Sequence, residues 1–166
     1  DVCSSDLVKR MRQIPGLDVL LNRAREAGVF GTKMRAVIEA NSPTGIAAIV
    51  DQQFEVAAKI TSAGLMPILE PEVSIDFKDK AEAEASLKDA LIARLDALPL
   101  DQEVMLKLTI PDFPNTYRDL IDHPRVARVL ALSGGYTRDE ACKRLAMNPG
   151  MIASFSRALI NGRSEE

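Results

Sequence analysis

Along this chain, stretches with apolar residues every three or four positions alternate with short apolar runs bounded by Gly, Pro and charge. Leu17, Leu20, Leu21 and Ala24 make the first helical face, and Gly28 is placed to end that helix. Residues 29–35 then read as a short strand. Ser42 is suited to cap a helix whose first position is Pro43. Ile46, Ile49, Val50, Ala57 and Ile60 carry its apolar face, and Gly64 stops it. Leu65-Met66-Pro67-Ile68-Leu69 is a strand running into Glu70-Pro71-Glu72. A helix over about 80–97 follows, with Leu87, Ala90, Leu91 and Leu95 inward and Pro99 beyond its end. Residues 103–109 form the next strand, and Pro111, Pro114 and Asn115 make a loop before a short helix over 117–121. Val126 to Leu132 is a strand entering Ser133-Gly134-Gly135. Thr137-Arg138-Asp139-Glu140 is a capping box that opens another helix. Residues 151–155 are the last strand, ending at Ser156-Arg157.

Five strands alternating with four helices imply βαβ units, a parallel sheet and right-handed crossovers. Two architectures satisfy this: a small doubly wound sheet, or part of a (β/α)8 barrel. A doubly wound sheet concentrates its chemistry at one switch point, whereas a barrel gathers it at the C-terminal ends of its strands. Here polar groups stand at all five ends: Lys33 and Arg35, Glu70 and Glu72, Lys107, Ser133-Gly134-Gly135, then Ser156 and Arg157. That distribution favours a partial barrel.

The 166 residues suit one ordinary domain. Aromatics are few and Trp is absent, so the core is aliphatic. No apolar run approaches the roughly 20 residues that span a bilayer, so no membrane partner is expected. The net charge of −3 argues against a nucleic-acid partner, so no nucleic acid is expected either. His123 is the only histidine, which leaves no His-based triad or multi-His metal site; between Asp122 and Pro124 it reads as a surface residue.

The two ends read differently from the rest. Asp1-Val2-Cys3-Ser4-Ser5-Asp6-Leu7 back-translates to a common sequencing adapter, and Arg163-Ser164-Glu165-Glu166 to its complement read into the other end. Residues 1–7 and 163–166 are therefore expected to be adapter read-through, leaving 8–162 as a partial barrel and a gene fragment. Without Cys3, Cys142 is the only cysteine, which fits a reducing, cytoplasmic setting.

The chemistry centres on Val104-Met105-Leu106-Lys107-Leu108-Thr109-Ile110, an apolar run with one lysine in its middle. Burying an ammonium is costly, so such a lysine is neutralised, paired or used, and a neutral amine can attack a carbonyl to form a Schiff base. A lysine that merely snorkels to solvent is the plainer alternative. Lys33 and Arg35 are spaced i, i+2 and share one strand face, where two cations suit an anionic substrate. Either glutamate of Glu70-Pro71-Glu72 can serve as general acid/base beside an imine; salt bridges or a divalent metal are the alternatives. Ser133-Gly134-Gly135, between a strand and a capped helix, offers backbone N–H groups to a phosphate, and Arg157 is placed to close a fork on it. An ordinary turn and a surface arginine are the plain readings of both.

Five segments in register carry a family resemblance. Phe30-Gly31-Thr32-Lys33-Met34-Arg35, Pro67-Ile68-Leu69-Glu70-Pro71-Glu72, Met105-Leu106-Lys107-Leu108, Leu132-Ser133-Gly134-Gly135 and Ala153-Ser154-Phe155-Ser156-Arg157-Ala158-Leu159 resemble class I fructose-bisphosphate aldolase in its bacterial form. The resemblance implies that Lys107 is the Schiff-base lysine. It makes Glu70 the proton donor and acceptor, with Glu72 its partner. Lys33 and Arg35 then lie beside the reacting carbons and the second phosphate. Ser133, Gly134, Gly135, Ser156 and Arg157 hold the phosphate of the dihydroxyacetone half. The implied reaction is the reversible, glycolytic cleavage of fructose 1,6-bisphosphate, with a sugar-phosphate substrate and no cofactor or metal. A homo-oligomeric parent is compatible with it.

The resemblance also implies that this chain begins just before the family's fourth strand. Strands one to three, with an aspartate and a lysine of the family's site, are then absent, as is the final helix. The isolated polypeptide is expected to fold poorly and to have negligible activity, because an open sheet leaves apolar edges unpaired. Other lysine-imine enzymes, such as deoxyribose-phosphate aldolase or transaldolase, and a non-catalytic sugar-phosphate-binding scaffold are the competing readings.

Overall fold

A computed structural model describes residues 8–156. The two adapter-like ends and Arg157 lie outside the described residues. The elements are β1 (Val8–Lys9), α1 (Leu17–Glu26), β2 (Gly31–Ile38), α2 (Pro43–Ser62), β3 (Met66–Val73), α3 (Lys80–Asp96), β4 (Val104–Thr109), α4 (Arg118–Ile121), β5 (Val126–Leu132), α5 (Arg138–Ala146) and β6 (Met151–Ala153).

One sheet holds all the strands in the order β1-β2-β3-β4-β5-β6. β2 to β6 are parallel, and β1 adds an antiparallel edge at Ile38 and Val37. The order never reverses, so the sheet has no switch point, and the doubly wound alternative falls. A sheet that grows one neighbour at a time in one direction is the topology of a (β/α)8 barrel opened along its length.

Alternation along each strand sorts the two faces. Met34, Ala36 and Ile38, Leu69 and Val73, Leu106 and Leu108, and Val129 and Ala131 are buried on the helix-covered side. Ile46, Ile49, Val50, Phe54, Ala57 and Ile60 of α2 and Leu87, Leu91 and Leu95 of α3 meet them at helical spacing. The opposite face carries Lys33 and Arg35, Glu70 and Glu72, Lys107 and Thr109, then Leu130 and Leu132.

Local signals account for the helix ends. The Ser42 hydroxyl accepts the Gly45 N–H at 3.2 Å, and Thr137 accepts that of Glu140 at 3.3 Å, as the capping patterns require. Several boundaries move. β2 continues to Ile38, and β3 runs through Glu70-Pro71-Glu72 to Val73, so the two glutamates lie inside a strand and not in a loop after it. β6 stops at Ala153. Leu20, expected on the inner face of α1, is exposed, while Leu21 is buried. His123 is not a surface residue: its side chain is 10% exposed, with Nε2 3.2 Å from Asp96 and Nδ1 accepting the Arg125 N–H at 3.1 Å. It stitches the α4–β5 turn to α3.

Candidate active site

Lys107 sits mid-strand on β4 with its side chain on the open face, 15% exposed. Its ammonium is paired: Nζ lies 3.3 Å from Oε1 of Glu70, whose side chain is 5% exposed. The other oxygen of Glu70, Oε2, forms an ion pair with Lys33 Nζ at 2.5 Å. One buried carboxylate therefore bridges two lysines from the strands on either side.

The pairing register explains the bridge. Arg35 is the partner of Glu70 across β2 and β3, and Ile68 is the partner of Met105 across β3 and β4. Glu70 and Lys107 each follow two residues later on the same face. The β3–β4 ladder has no register pair beyond Leu69–Leu106, and Pro71 has no N–H to extend it. The strands are joined again by a side chain, Thr109 Oγ1 donating to the Val73 carbonyl at 2.7 Å. The gap between these two links is where Glu70 and Lys107 meet.

Glu72 serves a separate pair. Its Oε2 accepts from Arg35 Nε at 2.6 Å, and this bond, against some desolvation, raises the Arg35 pKa above its ordinary value. Arg35 and Lys33 remain 48% and 44% exposed, so each keeps donor capacity toward the cavity. Both glutamates are thus engaged by cations, and no group of three His, Cys, Asp or Glu among the described residues is placed to hold a metal ion.

The Ser133–Gly135 turn follows β5. Gly134 adopts φ +62° and Gly135 φ +120°, backbone conformations that side chains rarely take. A Cβ on Gly134 would meet Ile75 Cγ2 at 3.0 Å and Thr109 Cγ2 at 3.4 Å. The turn is closed by the Tyr136 N–H on the Ser133 carbonyl at 2.9 Å.

A cavity of about 390 Å³ joins these groups, lined by Lys33, Arg35, Glu70, Glu72, Lys107, Leu132, Ser133, Gly134, Ser154 and Ser156. The structure thus brings together every sequence-predicted site residue except two. Gly135 lies outside the lining, and Arg157 outside the described residues. Ser154 was missed as a site residue; it follows β6 by one residue and keeps the parity of Ile152, its N–H held by the Ala131 carbonyl at 2.9 Å. Strand parity counted forward from Ile152, the partner of Leu130, leads to it.

No family model matches the chain. Among curated proteins, the fructose-bisphosphate aldolase class 1 of Synechocystis sp. is 57% identical over 152 residues, which is 92% of this chain and 51% of the relative. Over nearly its whole length, the chain is similar to this class 1 fructose-bisphosphate aldolase. It spans about half the length of that curated relative. Among solved structures, a fructose-bisphosphate aldolase from Plasmodium falciparum, in complex with TRAP and a small molecule inhibitor, superposes with a TM-score of 0.69 at 19% identity. That match covers 95% of this chain and 58% of the other, and it shows the fold: the sheet of this chain is part of a TIM barrel. No helix among the described residues is long and apolar enough to cross a membrane.

Proposed function

We propose that the protein to which this sequence belongs cleaves fructose 1,6-bisphosphate reversibly to dihydroxyacetone phosphate and glyceraldehyde 3-phosphate, as a cytoplasmic, glycolytic enzyme, through an imine on Lys107. The observation that carries the reading is the Glu70 carboxylate between Lys107 and Lys33, at 3.3 and 2.5 Å. A nucleophilic amine needs a nearby base to take its proton, and a carbinolamine needs an acid to release water. Glu70 can do both without moving far, because it already contacts the lysine nitrogen. Lys33 holds the second oxygen and keeps the carboxylate turned toward Lys107.

The steps follow from the atoms. The Lys107 amine adds to the ketone carbon, Glu70 relays protons, and water leaves to give a protonated imine. The imine nitrogen accepts the electron pair when the adjacent carbon–carbon bond breaks. The hydroxyl proton of the departing aldehyde goes to a carboxylate, and Glu70 is the one in contact with the lysine. Ser133, Gly134 and Ser156, with Arg157, hold one phosphate. Lys33 and Arg35, on the far side of the cavity, take the second, and Glu72 fixes the Arg35 guanidinium. Two cationic or N–H-rich ends separated by the lysine favour a bisphosphate over a monophosphate substrate.

The test is Lys107→Ala in the complete protein encoded by the parent gene. Cleavage of fructose 1,6-bisphosphate is expected to fall about 10³-fold or more, since the nucleophile is lost while binding is retained. Unchanged cleavage would reject imine chemistry, and a sugar-phosphate-binding role unaffected by the substitution would favour the scaffold reading.

A further inference from the structure

A second concentration of buried charge lies outside the cavity, and the chemistry above makes no use of it. Lys80 and Glu84, one turn apart at the start of α3, have side chains 3% and 1% exposed. A buried ammonium persists only when its donors are satisfied. Lys80 Nζ donates to Glu84 Oε1 at 2.5 Å, to Asp112 Oδ1 at 3.0 Å and to the Ile110 carbonyl at 3.1 Å. The second oxygen of Glu84 accepts the Asp112 N–H at 3.1 Å. Burial pushes the Glu84 carboxyl up, and the Lys80 bond pulls it back.

Every bond of this pair other than the one within it goes to Ile110 or Asp112, the segment into which β4 runs just past Lys107. Asp112 carries the contacts onward. Its Oδ1 lies 3.5 Å from Arg144 Nη1 on α5. Arg144 is steadied by Glu140 at 2.7 Å and stacks over the Tyr136 ring, 4.4 Å from its centroid. The Tyr136 N–H is the one that closes the Ser133 turn. A chain of polar contacts therefore runs behind the cavity, from the end of the lysine strand to the phosphate turn. Stability alone does not call for it, because buried ion pairs are often replaced by apolar residues at no net cost.

We propose that Lys80, Glu84 and Asp112 are positioning residues: they fix the end of β4 against the Ser133–Gly135 turn and so set Lys107 at the right distance from a phosphate held there. This rests on the aldolase reading of the site. The pair orients the loop, the loop orients α5, and none of the three touches substrate.

The test uses the complete protein, with rates normalised to the amount folded. Asp112→Ala cuts the contact chain at its middle and leaves both the Lys80–Glu84 pair and the backbone N–H in place. The expected result is a fall in kcat of about tenfold or more, toward the roughly 10²-fold that a 1 Å misplacement costs. Borohydride trapping of the dihydroxyacetone phosphate imine slows by a similar factor. KM stays within about threefold, as for a loss confined to the reacting geometry. Asp112→Asn keeps an acceptor for Lys80 and restores most of the rate. Lys80→Met with Glu84→Gln, which removes both charges at similar volume, gives the same kinetic loss by another route. Folded variants that trap at the wild-type rate would overturn the proposal, as would variants of both kinds that do not fold, since the cluster would then serve stability alone. A wild-type protein that forms no imine overturns the aldolase reading and this inference together; a wild-type imine with unaltered variants overturns only the positioning role.

Discussion

Glu70 faces two lysines, and its two oxygens are divided between them. Oε1 is within 3.3 Å of Lys107, at the edge of direct proton transfer, and Oε2 is committed to Lys33. Glu70→Gln keeps the shape and loses the base. It is expected to lower kcat by about 10²-fold or more with little change in KM, measured by steady-state cleavage of fructose 1,6-bisphosphate. A kcat within a few-fold of wild type would move the acid/base role to Glu72. Lys107 was legible from sequence because a lone lysine in an apolar run is a local anomaly. The Lys33–Arg35 face was legible from strand parity. Lys80 and Glu84 were not: Lys80-Ala81-Glu82-Ala83-Glu84 reads as any solvated helix face, and only the packing of the segment around Asp112 over α3 buries them. Ser154 lay inside the strand expected over 151–155, two residues before Ser156 and on the same parity.

Elements with strong local punctuation matched their expected ranges. Ser42-Pro43 and Gly64 bracket α2, and the capping box at Thr137 opens α5 one residue later. β3 runs past its expected end at Leu69, although a proline such as Pro71 normally argues against a central strand. The strand nonetheless continues, paired to β2 through Val73, and the proline instead interrupts its ladder to β4 at the point where the site needs room. The Ser133–Gly135 turn shows the same dependence of site on element. Gly134→Ala would force a side chain into φ +62° and within 3.0 Å of Ile75. The expected cost is about 1–2 kcal/mol of stability, read by denaturant unfolding, together with weaker binding of inorganic phosphate. An alanine variant with wild-type stability and phosphate affinity would show that the turn does not have the geometry described.

At the scale of the whole molecule, the six strands run in chain order, and nothing among the described residues closes the sheet on itself. Arg35 and Lys33, close to the edge of the sheet, stay nearly half exposed, and Ile152 on β6 at the opposite edge is 47% exposed. A barrel site draws groups from strands all around the ring, and this chain spans about half of its aldolase relative. The 166-residue polypeptide on its own is therefore expected to show negligible cleavage and to self-associate through its open edges, read by turnover and light scattering. A monodisperse monomer with ordinary turnover would contradict this. The barrel itself was legible because polar residues recurred at every strand end. The antiparallel β1 was not, since Val8 and Lys9 carry no pattern of their own and pair only because β2 offers an edge.

The central claim is that Lys107 captures a ketone. The most direct measurement is to treat the complete protein with dihydroxyacetone phosphate and borohydride, digest it, and locate the reduced adduct by mass spectrometry. The account predicts one adduct, on the peptide that contains Lys107, and none in the Lys107→Ala variant. A folded protein that carries no adduct, or carries it on Lys33 instead, would contradict the account.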